Sequence, residues 1–166
     1  MSLIVENGTN VLNSESYASV AEALAYHAAR GNTNWATITL AQQEQALRRA
    51  TDFMEQVYSQ NWKGRLFTSS QSLSWPRYGV WANHYLIESN AVPRIVKNAC
   101  IELALKAASG DLAPDLAQRV VREKIGPIEV EYDKNSPQYT AYRAINNMLS
   151  NYLISAGGVF HQVVRT

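Results

Sequence analysis

One segment of this chain, residues 57–92, refuses the helical repeat that governs most of the rest. It holds seven of the sixteen aromatic side chains, Tyr58, Trp62, Phe67, Trp75, Tyr78, Trp81 and Tyr85, with Gly64, Pro76 and Gly79 set among them. Glycine opens backbone conformations that other residues avoid, and proline fixes φ and removes an amide donor, so no helix runs through such a stretch. The densest part is "SLSWPRYGVW", residues 72–81. Any fold must therefore carry helices on either side of a long aromatic-rich loop, and that loop must find something to pack against.

The flanking segments read as helices with definite ends. In "SVAEALAYHAARG" Ser19 is an N-cap with Glu22 three residues on, a capping box. Val20, Leu24 and Ala28 then form one apolar face, and Gly31 ends the run. Thr39 and Gln42 repeat the box ahead of "LAQQEQALRRATDFMEQVYSQ". There Leu47, Ala50, Met54 and Val57 fall on one stripe, away from Arg48, Arg49 and Glu55. Pro93 suits a first helical position, after which Val96, Cys100, Leu103 and Ala107 share a side until Gly110. Residues 114–119 fit a further short helix.

"VVREKIGPIEVEYD" has a different period. Ile128, Val130 and Tyr132 alternate with Glu129, Glu131 and Asp133, the mark of a half-buried strand. Residues 120–125 either pair with it across Gly126-Pro127 or form one kinked strand with it. Ser136-Pro137 open a last helix with Tyr142, Ile145, Leu149 and Tyr152 on its apolar face. Gly157-Gly158 release the tail "VFHQVVRT". The expected fold is mainly α: a bundle of about four to five helices with a short β hairpin or kinked strand and a long aromatic-rich loop. Residues 1–156 form a single helical domain and residues 157–166 a C-terminal tail.

Chemistry is sparse along the chain. His27, His84 and His161 have no metal-ligand spacing, and neither a phosphate loop nor a nucleophile elbow occurs. Cys100, the one cysteine, lies among apolar residues and reads as a buried inert thiol that fits a reducing compartment. Glu129, Glu131 and Asp133 would share a strand face, either as a cation site or, more plainly, as a solvated face. No catalytic, cofactor-binding or metal-binding residue is assigned, and an enzyme is not expected. The apolar run in "MSLIVENGTN" is too short for a signal peptide, and no segment reaches membrane-spanning length. These features fit a soluble, intracellular protein.

The net charge of +1 does not advertise a nucleic-acid binder, because phosphate neutralisation normally supplies much of that affinity. Three uses of the aromatic loop remain open. Its tryptophans could plug one end of the bundle as a satellite core. They could stack on single-stranded nucleic acid, helped by Lys63, Arg65 and Arg77. They could also anchor another protein chain, since Trp, Tyr and Arg are enriched at such contacts.

Taken in order, "SYASVAEALAYHAARGNTNW", "ALRRATDFMEQVYSQNWKG", "SLSWPRYGV", "VPRIVKNACIELAL" and "KIGPIEVEYD" resemble a family of tailed-bacteriophage and prophage neck proteins. These are head–tail connector or adaptor subunits, whose members are also labelled DnaT-like single-stranded-DNA-binding proteins. The resemblance implies a structural subunit at the virion neck, present in the host cytoplasm before assembly. It would form a ring, expected as a dodecamer, under the portal protein and beside other neck or tail-completion proteins. Double-stranded DNA would pass through its lumen without sequence specificity, and no membrane would be involved. Under that reading Trp75, Pro76, Arg77, Tyr78 and Trp81 form a partner-facing wedge. Val159, Phe160, Val163 and Val164 of the tail would enter a portal groove, and Glu129, Glu131 and Asp133 would face the lumen. The alternative is a DnaT-like accessory protein of replication that binds single-stranded DNA through Trp62, Trp75, Trp81 and nearby basic residues.

Overall fold

Two capping boxes start two of the helices where the sequence puts them. In the computed structural model, Ser19 Oγ accepts from the Glu22 amide at 3.1 Å while the Glu22 carboxylate accepts from the Ser19 amide at 2.7 Å. Helix α1, Val20–Ala28, follows. Thr39 and Gln42 make the same reciprocal pair at 3.3 and 2.9 Å ahead of α3, Leu40–Tyr58. Each box satisfies amide groups that a helix start leaves without partners. The structure describes residues 2–114, 120–124, 129–132 and 140–154, with 120–124 and 129–132 described by backbone alone.

Between these two helices lies a short one that the periodicity does not announce, α2, Asn34–Thr37. It exists to seat Trp35, which is fully buried with its ring 5.1 Å from that of His27. Gln43 Nε2 donates to the Trp35 carbonyl at 2.8 Å and ties α2 to α3. Helix α4, Arg94–Ser109, begins after Pro93, and α5, Arg143–Leu149, runs into a 3-10 turn, Ser150–Tyr152.

The core forms where α3, α4 and α5 meet. Leu47, Ala50 and Met54 come from α3, Val96, Cys100, Leu103 and Ala107 from α4, and Ile145 and Leu149 from α5; all are buried. Two expected stripes need correction. Val57 is exposed and Tyr58 takes its place in the core, because the bundle's packing partner at that end is the aromatic segment. On α1 the buried pair is Ala23 and His27, whereas Leu24 and Ala28 are exposed. That helix is apolar on nearly every side, so its period does not select a face. Contact does: Ala23 permits close approach and the His27 ring finds the Ile101 carbonyl at 3.3 Å. Cys100 is buried beside Thr51 Oγ1 at 3.3 Å, and burial pushes its thiol up, away from the reactive thiolate.

The N-terminal segment is more than an extended lead-in. Val5 bridges Ser16, and the buried Glu6 carboxylate gathers the amides of Gly8, Asn10 and Val11 at 2.7, 3.1 and 2.8 Å. The loop so formed packs on the aromatic segment at two points. Asn10 Nδ2 donates to Thr68 Oγ1 at 2.9 Å, and Gly8, at φ +105, lies so close to Asn90 that a Cβ would fall 2.2 Å from its carbonyl oxygen.

Three antiparallel strand pairs complete the described fold. Strand β1, Arg65–Leu66, pairs with β2, Arg77–Tyr78, and β3, Trp81–Ala82, with β4, Tyr85–Leu86. These lie inside the segment expected to be loop. Asn83 and His84, at φ 50 and 67, make the turn of the second pair, and positive φ at both central residues is what a type I′ hairpin turn requires. Strand β5, Val120–Lys124, pairs with β6, Glu129–Tyr132, so the paired alternative holds over the single kinked strand. Its register sets Arg122 opposite Glu131 and Lys124 opposite Glu129. The side chains of Glu129 and Glu131 lie outside the described part of the structure. So do Asp133, most of the helix expected over residues 114–119, the helix start expected at Ser136-Pro137, and the tail with Val159, Phe160, Val163 and Val164. Among the described residues no helix is long and apolar enough to cross a membrane.

Candidate functional site

The aromatic segment divides into an inner and an outer half. On the inner side Trp62 and Trp75 are fully buried, edge to face with ring centroids 5.7 Å apart. Tyr58 packs on Trp62 and Tyr152 on Trp75, so rings from α3, the loop and the 3-10 turn close one end of the bundle. The Trp75-Pro76 peptide is cis and Pro76 is buried.

Arg77 belongs to this inner half as well, 7% exposed. Its Nε donates to the Lys63 carbonyl at 2.8 Å, its Nη2 to the Gly64 carbonyl at 3.0 Å and its Nη1 to the Ser74 carbonyl at 3.2 Å. One guanidinium thus ties β1's approach to β2's. The backbones are close enough there that a Cβ on Gly64, at φ +71, would sit 2.4 Å from the Tyr78 carbonyl oxygen. Glu55 of α3 holds the other side, accepting from Ser74 N at 3.1 Å, from Ser74 Oγ at 2.6 Å and from the Tyr17 hydroxyl. Burial, with the Glu55 charge beside it, raises the Tyr17 hydroxyl well above its usual range and keeps it protonated as the donor.

This corrects the wedge. Trp75, Pro76 and Arg77 are buried in the chain's own fold, where the tryptophan fills core volume and the arginine satisfies carbonyls of its own tight loops. The same burial removes Trp62 and Trp75 from the set of bases' stacking partners. Of the five wedge residues, Tyr78 and Trp81 alone are exposed, and the structure brings them together in one groove.

The outer half is a face of exposed rings. Trp81 is 57% exposed and Tyr85 76%, with Phe67, Tyr78, Leu66 and Leu86 also open to solvent. Two adjoining grooves run across it and share Phe67 and Tyr78. The first, about 550 Å³, is lined by Arg65, Leu66, Thr68 and Ser69 besides the shared rings. The second, about 800 Å³, adds Trp81, Leu86, Glu88, Ser89 and Asn90. The hairpin register explains the pairs: Arg65 stands opposite Tyr78 with its guanidinium 4.9 Å from the ring centroid, and Trp81 stands opposite Leu86. Lys63 Nζ lies at the rim, donating to the Asn151 carbonyl at 2.8 Å and the Trp81 carbonyl at 3.5 Å.

Phe67, Tyr85, Leu86 and Glu88 were not foreseen as site residues. The signal that could have found them is the two-residue spacer Asn83-His84 between "WA" and "YL", a hairpin in a turn chemistry less common than Asn-Gly. His27 is buried, His84 sits in that turn, and His161 lies outside the described residues. Among the described residues no group of three or more His, Cys, Asp or Glu side chains could hold a metal ion. What the groove offers is planar ring faces, one guanidinium and one carboxylate, a surface suited to holding flat, unsaturated groups by stacking.

The described residues form a small, mainly α fold that presents an aromatic groove on two strand pairs. Over residues 1–166 the chain belongs to the family described as "Putative DnaT-like ssDNA binding protein". No curated protein and no solved structure matches it. The family corrects the neck-adaptor reading: its description names single-stranded DNA, the alternative expectation, and the structural role under a portal in a virion is withdrawn. The expected portal partner, ring and neck location rested on that reading alone.

Proposed function

We propose that the protein binds single-stranded DNA, without catalysis, by stacking bases on Trp81, Tyr78 and Phe67 while Arg65 and Lys63 meet phosphates. One observation carries this reading. Of the four tryptophans, Trp35, Trp62 and Trp75 are buried and Trp81 alone is exposed, in a groove that it shares with the rings of Phe67 and Tyr78. A solitary exposed tryptophan needs no explanation, but a continuous exposed aromatic face does. Base–aromatic stacking contributes about 1–3 kcal/mol per base and tolerates any sequence. Arg65, already over the Tyr78 ring, can hold a phosphate without leaving it. The family's description supports the same ligand.

The test is a titration with a short fluorescently labelled oligodeoxythymidylate at low salt, followed by anisotropy. Wild-type protein should bind and quench its own tryptophan emission. Trp81→Ala should weaken binding roughly tenfold, the lower part of the range for losing one stacked base. Absence of binding by the wild type, or equal binding by the variant, would overturn the proposal.

A further inference from the structure

The two grooves differ in charge. The one lined by Arg65 contains no acid, whereas the one lined by Trp81 contains Glu88. Glu88 is exposed, and among the described residues it has no hydrogen-bond or ion-pair partner. A carboxylate free in a groove for single-stranded DNA repels phosphate, so the phosphates of a bound strand are driven toward Arg65 and Lys63. A base edge that donates is the part of such a strand that a carboxylate can accept from.

We infer that the groove walled by Phe67, Tyr78, Trp81 and Leu86 is a base pocket in which Glu88 selects guanine. The inference rests on the proposed binding of single-stranded DNA at this same face. Its chemistry is that of donor count. A carboxylate accepts only, with two oxygens side by side, and the Watson–Crick edge of guanine presents two adjacent donors, N1–H and the N2 amino group. Thymine offers one N3–H between two carbonyl oxygens that repel the carboxylate. Cytosine and adenine each offer one amino group beside a ring-nitrogen acceptor. Ser89 and Asn90 line the same groove and supply polar groups for the remaining edge. Its volume of about 800 Å³ holds a base with room for its sugar.

The experiment uses an oligodeoxythymidylate host of about ten nucleotides, within the site size of single-strand binders, with one central position varied. Guanine there should tighten binding about tenfold over thymine, the discrimination of one good bidentate pair, and inosine, which lacks the N2 amino group, should lose most of that gain. Glu88→Gln should abolish the guanine preference while leaving affinity for the all-thymine strand unchanged or higher, since a repelling charge is gone. Trp81→Ala should weaken every strand alike. If wild type binds the host tightly but ranks guanine with thymine, or if Glu88→Gln keeps the preference, the pocket assignment fails and the binding proposal stands. If no strand binds, both fail.

Discussion

Trp75 and Trp81 stand six residues apart and meet opposite surroundings. Trp75 is wholly buried with Trp62 and Tyr152 against its faces and edges. Trp75→Ala should therefore destabilise the fold by about 3–5 kcal/mol, the usual range for emptying a buried aromatic site. Trp81→Ala should change stability by less than about 0.5 kcal/mol, as exposed positions do, while weakening the oligonucleotide complex. Urea denaturation of both variants reads the contrast, and a Trp75→Ala protein as stable as wild type would contradict the buried assignment. His27 gives a second residue-level expectation. A neutral ring donates from Nε2 to the Ile101 carbonyl at 3.3 Å and accepts at Nδ1 from Asn32 Nδ2 at 3.2 Å. Burial lowers its pKa below the ordinary 6.5. Between that lowered value and 6.5 the unfolded chain binds more protons than the native one, so stability falls as pH falls through this window. The fall should vanish in His27→Gln, measured by urea midpoints across the window. Glu15 acts in a lower window: the Ile4 amide, and then Arg48, hold its carboxyl below 4.5, so its contribution is lost only in stronger acid.

At the level of elements, what could be read was whatever a few neighbouring residues decide. Ser19 with Glu22, and Thr39 with Gln42, define their helix starts without help from the rest of the chain. Pro93 and Gly110 bracket α4 for the same reason, and period alone gives Val96, Cys100, Leu103 and Ala107, four of its seven buried positions. The face of α1 could not be read, because the contact that chooses it comes from Ile101, 74 residues away. The β3–β4 hairpin was hidden for a chemical reason: Asn83 and His84 both adopt positive φ, yet neither is glycine. This makes a prediction at the scale of the β3–β4 pair. A non-glycine residue pays strain in that region that glycine avoids, so His84→Gly should stabilise the protein by about 0.5 kcal/mol after glycine's own entropic penalty. The urea midpoint should rise slightly and oligonucleotide affinity should hold. A clear loss of stability would show that the His84 side chain makes a contact worth more than the strain. The site was half legible on the same principle. Residue types flagged Trp75, Arg77, Tyr78 and Trp81 together, but type does not say which side chain turns inward; Arg77 does so through carbonyls of Lys63, Gly64 and Ser74, in the segments that lead into β1 and β2.

Across the whole molecule the balance of charge sets how binding should respond to salt. The chain carries 15 basic and 14 acidic side chains, a net charge of +1, so no broad positive field draws a strand in. Lys63 and Arg65 are the cations that the described residues place at the aromatic face. If those two neutralise two phosphates, the logarithm of affinity should fall with the logarithm of salt at a slope of about −1.4, since each single-strand phosphate contributes about −0.7. Raising salt from 50 to 200 mM would then cost roughly sevenfold in affinity, far below the loss suffered by proteins that hold many phosphates. Arg65→Ala should make the slope shallower by about 0.7, and Trp81→Ala should weaken binding without altering the slope, because stacking releases no counterions. Anisotropy titrations at four salt concentrations separate these cases. A slope steeper than about −4 would mean that more phosphates are held than these two cations can reach, and that charge rather than ring contact dominates the complex.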